Sequence, residues 1–343
     1  MNLAWKEIKK NKVRFVILGS IVFLVSFLTF IISGLANGLS QDNAALIKNL
    51  PEGYFYMEED ADESFNLSLI PASIQESILD EYKTAMALSI QMGFLNDSDE
   101  KQHSVAFVTS TPTELFVDVA QGELFLDSSL KDKIKVGDTL SNNQLKASLT
   151  VKGFIEQEKY SHAPVAFINE QDFKEMYRTE EKQLLFLSDK DKAPTIDGLQ
   201  SFTKEEFLKT IPSYSAEQLS LNMIVWFLLV ISGMLFAIFF YMMNVQKIGL
   251  YGILKAIGVK TGTLFKMMWV QMLFITMTAL VLSMTLSQVF GLVTPDTMPF
   301  DLPLWSTIQL SITFLLIGFI GATLSGLQIR KIQPLQAIQQ GEV

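Results

Sequence analysis

Four long stretches of this chain contain no charged residue. They cover residues 15–41, 218–246, 267–295 and 302–329. Each is longer than the roughly 20 residues that an α-helix needs to cross about 30 Å of hydrocarbon. Their polar residues are mostly Ser, Thr, Asn and Gln, which contacts between membrane helices tolerate. The sequence therefore predicts four transmembrane α-helices.

The composition argues against several other kinds of protein. Charged residues make up only 18% of the 343 residues and hydrophobic residues 49%, which disfavours a cytosolic enzyme. A chain with no cysteine and two histidines has no thiolate site and no poly-histidine metal centre. The net charge of −9 disfavours nucleic-acid binding. Phosphate-loop and nucleophile motifs do not occur in the sequence, so we predict no catalytic residue and no intrinsic metal or cofactor.

The distribution of positive charge predicts the topology. Residues 1–14 contain five basic residues, and residues 247–266 contain four lysines and no acid. Arg330 and Lys331 begin the tail at 330–343, whereas the loop between the third and fourth stretches has two aspartates and no basic residue. We therefore expect a multi-pass plasma-membrane protein with both termini and the 247–266 loop in the cytoplasm.

Residues 42–217 are expected to form a domain outside the cell. This segment holds 32 of the 36 acidic residues and 16 of the 27 basic ones, a net charge of −16. About 175 residues are enough for an independent domain. An exported domain without cysteine is typical of a cell that does not rely on oxidative folding, which favours a Gram-positive bacterium.

Both strands and helices are predicted within that domain. Alternating apolar and polar residues predict strands at 105–109, 115–119, 123–127, 149–156 and 164–168. Helical spacing is found at 72–82 and 171–177. The predicted architecture is therefore four membrane helices with one α+β extracellular domain inserted between the first and the second.

Three cytoplasmic segments combine apolar residues with basic flanks. Residues 1–14 place Trp5 and Ile8 among lysines, as in an amphipathic helix that lies along a membrane surface. Residues 248–259 predict a short apolar helix that Gly258 ends. Because no bilayer covers this loop, the helix is typical of a docking surface. The third segment, 330–343, has a basic start and a proline that stops the last span.

Several of these segments resemble the MacB/FtsX-like permeases of type VII ABC transporters. Residues 254–258 (Leu-Lys-Ala-Ile-Gly) and 332–338 (Ile-Gln-Pro-Leu-Gln-Ala-Ile) are similar to two motifs of that family, and residues 4–8 resemble its opening helix. Four outside segments are similar to its core subdomain: 122–127, 135–139, 151–154 and 165–168. The resemblance covers nearly the whole chain. Residues 251–258 and the single small outside domain are most similar to the HrtB-type haem exporter permeases of Gram-positive bacteria.

The resemblance implies a homodimer that receives two copies of a separate ABC ATPase, which would bind ATP and Mg²⁺. The permease itself would then not be an enzyme, and ATP-driven dimer closure would move the outside domains to expel cargo. The expected ATPase-docking residues lie on the short apolar helix: Leu250, Tyr251, Leu254, Lys255, Ala256 and Gly258. Position 250 departs from the family, because many members carry Glu there.

A haem cargo would require an apolar pocket with an oxygen, sulfur or nitrogen ligand for iron. The outer ends of the first two spans offer such side chains: Phe27, Phe30, Tyr54, Tyr56, Met57, Tyr214, Glu217 and Met223. The same residue types also form interfacial belts and packing contacts. Gly34 and Gly38 form a small-x3-small pair that fits a dimer interface. Peptide-antibiotic cargo, lipid cargo and regulation of a cell-wall hydrolase remain alternatives.

Overall fold

Long helices dominate the computed structural model, which describes residues 2–188, 193–212, 214–295 and 298–331. The helices in chain order are α1 (Asn2–Lys10), α2 (Lys12–Lys48), α3 (Ala72–Glu81), α4 (Glu170–Tyr177), α5 (Lys204–Thr210), α6 (Tyr214–Val245), α7 (Ile248–Ala256), α8 (Thr261–Val293) and α9 (Leu304–Lys331). Helices α2, α6, α8 and α9 are long and apolar enough to cross a membrane. The prediction of four membrane helices is confirmed.

The ends of these helices differ from the uncharged stretches by several residues. Helix α2 passes Asp42 and ends at Lys48, with non-helical backbone at Ala44 (φ −142°, ψ 22°). It continues because the apolar residues 44–47 are buried, so their packing outweighs the charge at Asp42. Helix α8 begins at Thr261, six residues before position 267. The charge of Lys266 does not end the helix there, because its side chain is exposed on the helix surface.

The described residues divide into two compact units. The helical unit contains residues up to Asn37, Leu219–Pro295 and the described residues from Phe300 onward. The sheet unit contains Gly38–Gln218 together with the described part of Asp296–Pro299. The boundary between the units falls within α2 and α6.

The helical unit combines apolar packing with a few polar contacts between helices. Phe236 and Phe240 of α6 are buried with Met268 and Met272 of α8. Helices α6 and α9 approach closely, because a Cβ on Gly321 would lie 2.9 Å from the carbonyl oxygen of Gly233. Such close approach through small residues is typical of membrane helix pairs.

The sheet unit is built on a mixed sheet. Its strands are β1 (Tyr54–Glu58), β2 (Ala85–Asn96), β3 (Gln102–Ser110), β4 (Glu123–Asp127), β5 (Thr139–Leu140), β6 (Leu149–Ile155), β7 (Lys159–Tyr160), β8 (Ala163–Ile168), β9 (Leu184–Leu187) and β10 (Leu199–Thr203). The strand order is β10-β1-β9-β2-β3-β8-β4-β6-β5, and β7 pairs with β8. The β3–β8 and β4–β6 pairs are parallel and the others antiparallel. The α+β character of this domain is confirmed.

Four of the five strands predicted from the sequence are present in the structure. Strands β3, β4, β6 and β8 and helices α3 and α4 occur where the sequence predicts them. The predicted strand at 115–119 is wrong, because these residues form bends that pack Phe116 against Phe167 instead. Strand β9 was missed because all four of its residues are buried, which leaves no alternation to detect.

Glu158 lies in a partly buried position between β6 and β7. Its Oε1 accepts a hydrogen bond from Asn49 Nδ2 at 3.3 Å, and its backbone N–H donates to Asp127 Oδ2 at 2.7 Å. Burial raises the pKa of the Glu158 carboxyl to about 7; the hydrogen bond from Asn49 opposes that shift, and the charge of Asp127 adds to it.

The raised pKa of Glu158 predicts a pH-dependent stability of the sheet unit. The folded state keeps this proton up to about pH 7, whereas the unfolded chain loses it near pH 4.5. Stability should therefore fall as the pH rises through this window, by about 2 kcal/mol after allowance for partial exposure. This loss of stability is measured by recording the thermal unfolding of the sheet unit at each pH, with hydrogen exchange of its backbone amides as the readout. Glu158→Gln should flatten the dependence of stability on pH, whereas Glu156→Gln, a change at an exposed position, should leave it as in the parent. If Glu158→Gln and the parent show the same pH dependence, the prediction is wrong.

Candidate functional site

The short helix α7 ends in a Schellman motif centred on Gly258. The N–H of Val259 donates to the carbonyl of Leu254 at 2.9 Å, and the N–H of Gly258 donates to that of Lys255 at 3.0 Å. Gly258 has φ +91°, a conformation that costs glycine little and a residue with a Cβ considerably more. The prediction that Gly258 ends this helix is confirmed.

One face of α7 and of the turn after it is apolar and exposed. Leu250, Ile253 and Ile257 are 50%, 53% and 72% exposed, and their spacing of three and four residues aligns them along the helix. We call these three residues together with Ala256 the α7 stripe. Ala256 and Gly258 of the predicted docking set are also exposed, whereas Leu254 and Lys255 are half-buried. The sequence prediction omitted Ile253 and Ile257, although helical spacing from Leu250 indicates both.

The opposite face of α7 holds the helix to its own unit. Tyr251 is 1% exposed, so it is a packing residue in this chain. Its hydroxyl donates to Asn244 Oδ1 at 3.3 Å, and Asn244 Nδ2 donates to Ser325 Oγ at 3.0 Å. Helices α6, α7 and α9 are thereby joined by one buried polar chain.

A buried ion pair connects α1 to the start of α7. Lys247, the residue before α7, pairs with Glu7 of α1. The other carboxylate oxygen of Glu7 accepts a hydrogen bond from Gln271 Nε2 of α8 at 2.7 Å. Both charged side chains are nearly inaccessible, with 8% of Lys247 and 12% of Glu7 exposed. The pair therefore fixes α1 and the start of α7 to the same point of α8.

In the sheet unit, two of the predicted cargo residues lie in a polar cluster near the non-helical Ala44. The carboxylate of Glu217 accepts hydrogen bonds from Asn43 Nδ2 at 3.2 Å, and His162 Nε2 lies 3.1 Å from Glu217 Oε1. Tyr214 accepts a hydrogen bond from Ser40 Oγ at 3.1 Å. Lys48 also contacts Ser40, and its ammonium lies 5.8 Å from the centre of the Tyr214 ring.

A strained turn brings His162 to this cluster. Ser161 and His162 connect β7 to β8, and both have positive φ, 48° and 63°. This is the pattern of a two-residue type I′ hairpin, in which Asn and Gly are the favoured residues. The N–H groups of Ser161 and His162 donate to the carbonyls of Asn43 and Asp42 at 2.8 and 3.1 Å. From sequence alone His162 is expected to be a surface histidine without a role, because no motif marks a hairpin that lacks Asn-Gly.

Three other predicted cargo residues belong to the sheet itself. Tyr54, Tyr56 and Met57 lie on β1 between β9 and β10. Tyr56 and Met57 are 1% exposed, and the hydroxyl of Tyr56 donates to the carbonyl of Pro194 at 3.1 Å. Tyr54 is partly buried against the same sheet. Each of these side chains already has a packing role in the domain core.

The remaining predicted cargo residues lie in the helical unit. Phe30 is fully buried, 6.4 Å from Phe314 and near edge-on to it. Phe27 is half-buried and stacks on Phe23 at 6.0 Å. Met223 is 52% exposed on α6, so its thioether is accessible from outside the unit.

The two glycines of the predicted dimer interface are both buried within the chain. A Cβ on Gly34 would lie 2.4 Å from the ring of Phe300, and the carbonyl of Gly34 accepts a hydrogen bond from Asp301 N at 3.0 Å. The small size of Gly34 is therefore required inside one protomer. Gly38 is buried in the sheet unit.

Over the four described segments, no group of three or more His, Asp or Glu side chains could hold a metal ion. The predicted motif at 332–338 lies outside the described residues.

Comparison with known proteins identifies the family. Residues 222–334 match the family described as FtsX-like permease C-terminal. A Staphylococcus haemolyticus (strain JCSC1435) protein, named as a hemin transport system permease protein HrtB, is 30% identical over 353 residues, covering 98% of this chain and 99% of that protein. The chain belongs to the FtsX-like permease family.

Other known proteins are similar to this chain as well. The corresponding protein of Staphylococcus epidermidis (strain ATCC 12228 / FDA PCI 1200), also named HrtB, is 29% identical over 366 residues and covers both chains completely. The solved periplasmic region of MacB from Actinobacillus actinomycetemcomitans covers 48% of this chain and 95% of its own, at 11% identity and TM-score 0.35. The family inferred from the motifs is confirmed as HrtB-like by the sequence relatives. This FtsX-like permease is a multi-pass membrane protein and the permease subunit of an ABC transporter.

The buried Glu7–Lys247 pair yields a stability prediction for the helical unit. Glu7→Gln leaves the buried ammonium of Lys247 without a counter-charge, which should destabilise the unit by about 3 kcal/mol. The detergent-solubilised protein should therefore unfold at a lower temperature. Lys10→Gln, an exposed change on the same helix, should have little effect. Exchanging the two charges in the double variant Glu7→Lys/Lys247→Glu should recover part of the lost stability. If no stability is recovered, Glu7 and Lys247 do not interact directly.

Proposed function

We propose that this FtsX-like permease is the membrane subunit of an exporter that removes haem or a related porphyrin from the membrane. The observation that carries the proposal is its end-to-end similarity, at 30% identity, to a protein named for hemin transport. In this proposal two copies of the chain form a homodimer, and each receives one separate ATPase subunit that supplies ATP hydrolysis.

The orientation follows from the charge of the short flanks. We place both termini and the loop carrying α7 in the cytoplasm, because these segments hold the lysines and arginine that flank the spans. The sheet unit, with most of the acidic residues, then lies outside. The relatives are staphylococcal proteins, which supports a Gram-positive plasma membrane as the location.

The α7 stripe is the proposed contact for the ATPase. It presents Leu250, Ile253 and Ile257 on a cytoplasmic surface, where an apolar ridge favours burial against a partner. The ion pair of Glu7 with Lys247 and the Tyr251–Asn244–Ser325 chain hold α7 against α1, α8 and α9. A displacement of α7 by the ATPase would therefore move these helices together. Helices α2 and α6 contribute residues to both units, so the motion can reach the sheet unit along the chain.

For haem capture we propose Glu217 and Tyr214 of the sheet-unit cluster. Phenolate, imidazole and thioether groups are known axial ligands of haem iron, and a carboxylate is chemically suitable. His162, 3.1 Å from Glu217, joins this set as a residue that the structure adds. Its side chain is 37% exposed, so the imidazole is accessible to a cargo molecule.

An optical titration with haemin tests the cargo. The purified protein in detergent should shift the Soret band saturably at about one haem per dimer. Glu217→Gln or His162→Gln should weaken binding about tenfold, because each removes one candidate ligand. Glu205→Gln, which removes an exposed carboxylate elsewhere in the sheet unit, is the control. A shift no larger than that of empty micelles would exclude haem and favour peptide or lipid cargo, or hydrolase regulation.

A second experiment tests ATPase docking. Ala256→Asp and Ile253→Asp place a carboxylate on the α7 stripe, and its desolvation should abolish co-purification of the ATPase while membrane insertion continues. Thr263→Asp, exposed in the first turn of α8, should leave co-purification unchanged. If both stripe variants retain normal ATPase association, α7 is not the docking element.

A further inference from the structure

The helical unit contains a long apolar groove that the proposed function does not use. It lies between α2 and α8, has a volume of about 690 Å³ and is open along one side. Its walls are one helical face of each element, with Phe15, Gly19 and Phe23 on α2 and Ile275, Leu282 and Val289 on α8. The volume falls within the range of about 300 to 1,000 Å³ that is typical of small-molecule sites.

The dimensions of this groove match a lipid chain. Its lining on α8 extends from Phe274 to Val289, fifteen residue steps or about 22 Å at 1.5 Å per residue. One leaflet of a bilayer is about 15 Å thick in its hydrocarbon part. The groove therefore accommodates a whole acyl chain laid parallel to the helices.

Small residues create the floor of the groove. Gly19 of α2 faces Ile275 of α8, and a Cβ on Gly19 would already lie 3.5 Å from that side chain. Ser20, Thr278 and Ala279 also line it. The Thr278 hydroxyl donates to the carbonyl of Phe274 in its own helix at 2.8 Å, so it presents mainly its methyl group to the groove.

Positive charge lies at one end of the groove. Lys12 is part of the lining, and it is exposed. Lys9, Lys10 and Arg14 are exposed beside it in sequence, and among the ion pairs of the described chain none involves these four residues. The nearby acid, Glu7, is already neutralised by Lys247. The end of the groove therefore carries a surplus of positive charge.

We infer that the groove binds an anionic phospholipid, with an acyl chain between α2 and α8 and the phosphate at Lys12. The apolar walls exclude a polar ligand, and the basic end selects a negatively charged headgroup from the surrounding bilayer. Trp5 packs edge-on against Phe274 of the lining, with 5.0 Å between ring centres, and its indole would lie at headgroup level, where tryptophan is favoured. The lipid fills the gap between α2 and α8 as a structural ligand.

Native mass spectrometry of the full-length protein tests this inference, with phosphatidylglycerol and phosphatidylcholine of identical chains as probes. Lys12→Gln should weaken phosphatidylglycerol binding about fivefold and leave phosphatidylcholine unchanged. Thr278→Phe should fill the groove and reduce retention of both lipids at least tenfold. The matched controls are Lys266→Gln and Val281→Phe, exposed changes on α8 outside the lining.

Two results would overturn the inference. In the first, the Thr278→Phe variant retains as much lipid as the parent protein, or loses no more lipid than the Val281→Phe control does. In the second, a second copy of this chain fills the groove. Because the chain has no cysteine, Thr278→Cys introduces a single thiol, and efficient disulfide cross-linking between two copies in the membrane would demonstrate that occupant. Lipid retention without cross-linking supports the inference.

Discussion

The absence of water from the hydrocarbon interior constrains every other feature of the helical unit. A backbone polar group that finds no partner there costs several kcal/mol, so the spanning segments are continuous helices. The same constraint applies to side chains. Ser26 and Ser283 hydrogen-bond to each other at 2.6 Å between α2 and α8, and Asn244 is bonded to two other helices. At these positions the polar side chains have partners on neighbouring helices, and the hydrogen bonds link those helices to one another.

The membrane helices were predictable from sequence, whereas the ends of the helices and the polar clusters were not. The length of an uncharged stretch is enough to identify a membrane span, since every residue in the stretch adds to its hydropathy. By contrast, Glu7 and Lys247 are 240 positions apart, and only folding shows that each neutralises the other. Strand β9 is hidden for a similar reason, because both of its faces are covered. The sequence located local patterns, and the pairings between distant residues required coordinates.

The same distinction separates the two parts of the candidate site. The α7 stripe could be predicted in outline, because helical spacing and an apolar loop between two spans are visible in the sequence. The His162–Glu217 contact could not, because it depends on a turn with two residues at positive φ held by the carbonyls beside Ala44. Non-glycine residues in that conformation store strain of about 1 kcal/mol or more each. Strain of this kind persists where surrounding contacts impose it, and here those contacts come from the end of α2.

The apolar face of α7 has a consequence for how such a protein is produced. A subunit that presents Ile253 and Ile257 to the aqueous phase carries a surface that chaperones and membrane proteases recognise until a partner covers it. If α7 receives the ATPase as proposed, the abundance of the permease would be limited by the amount of ATPase made alongside it. Quality control would then remove an excess of orphan subunits.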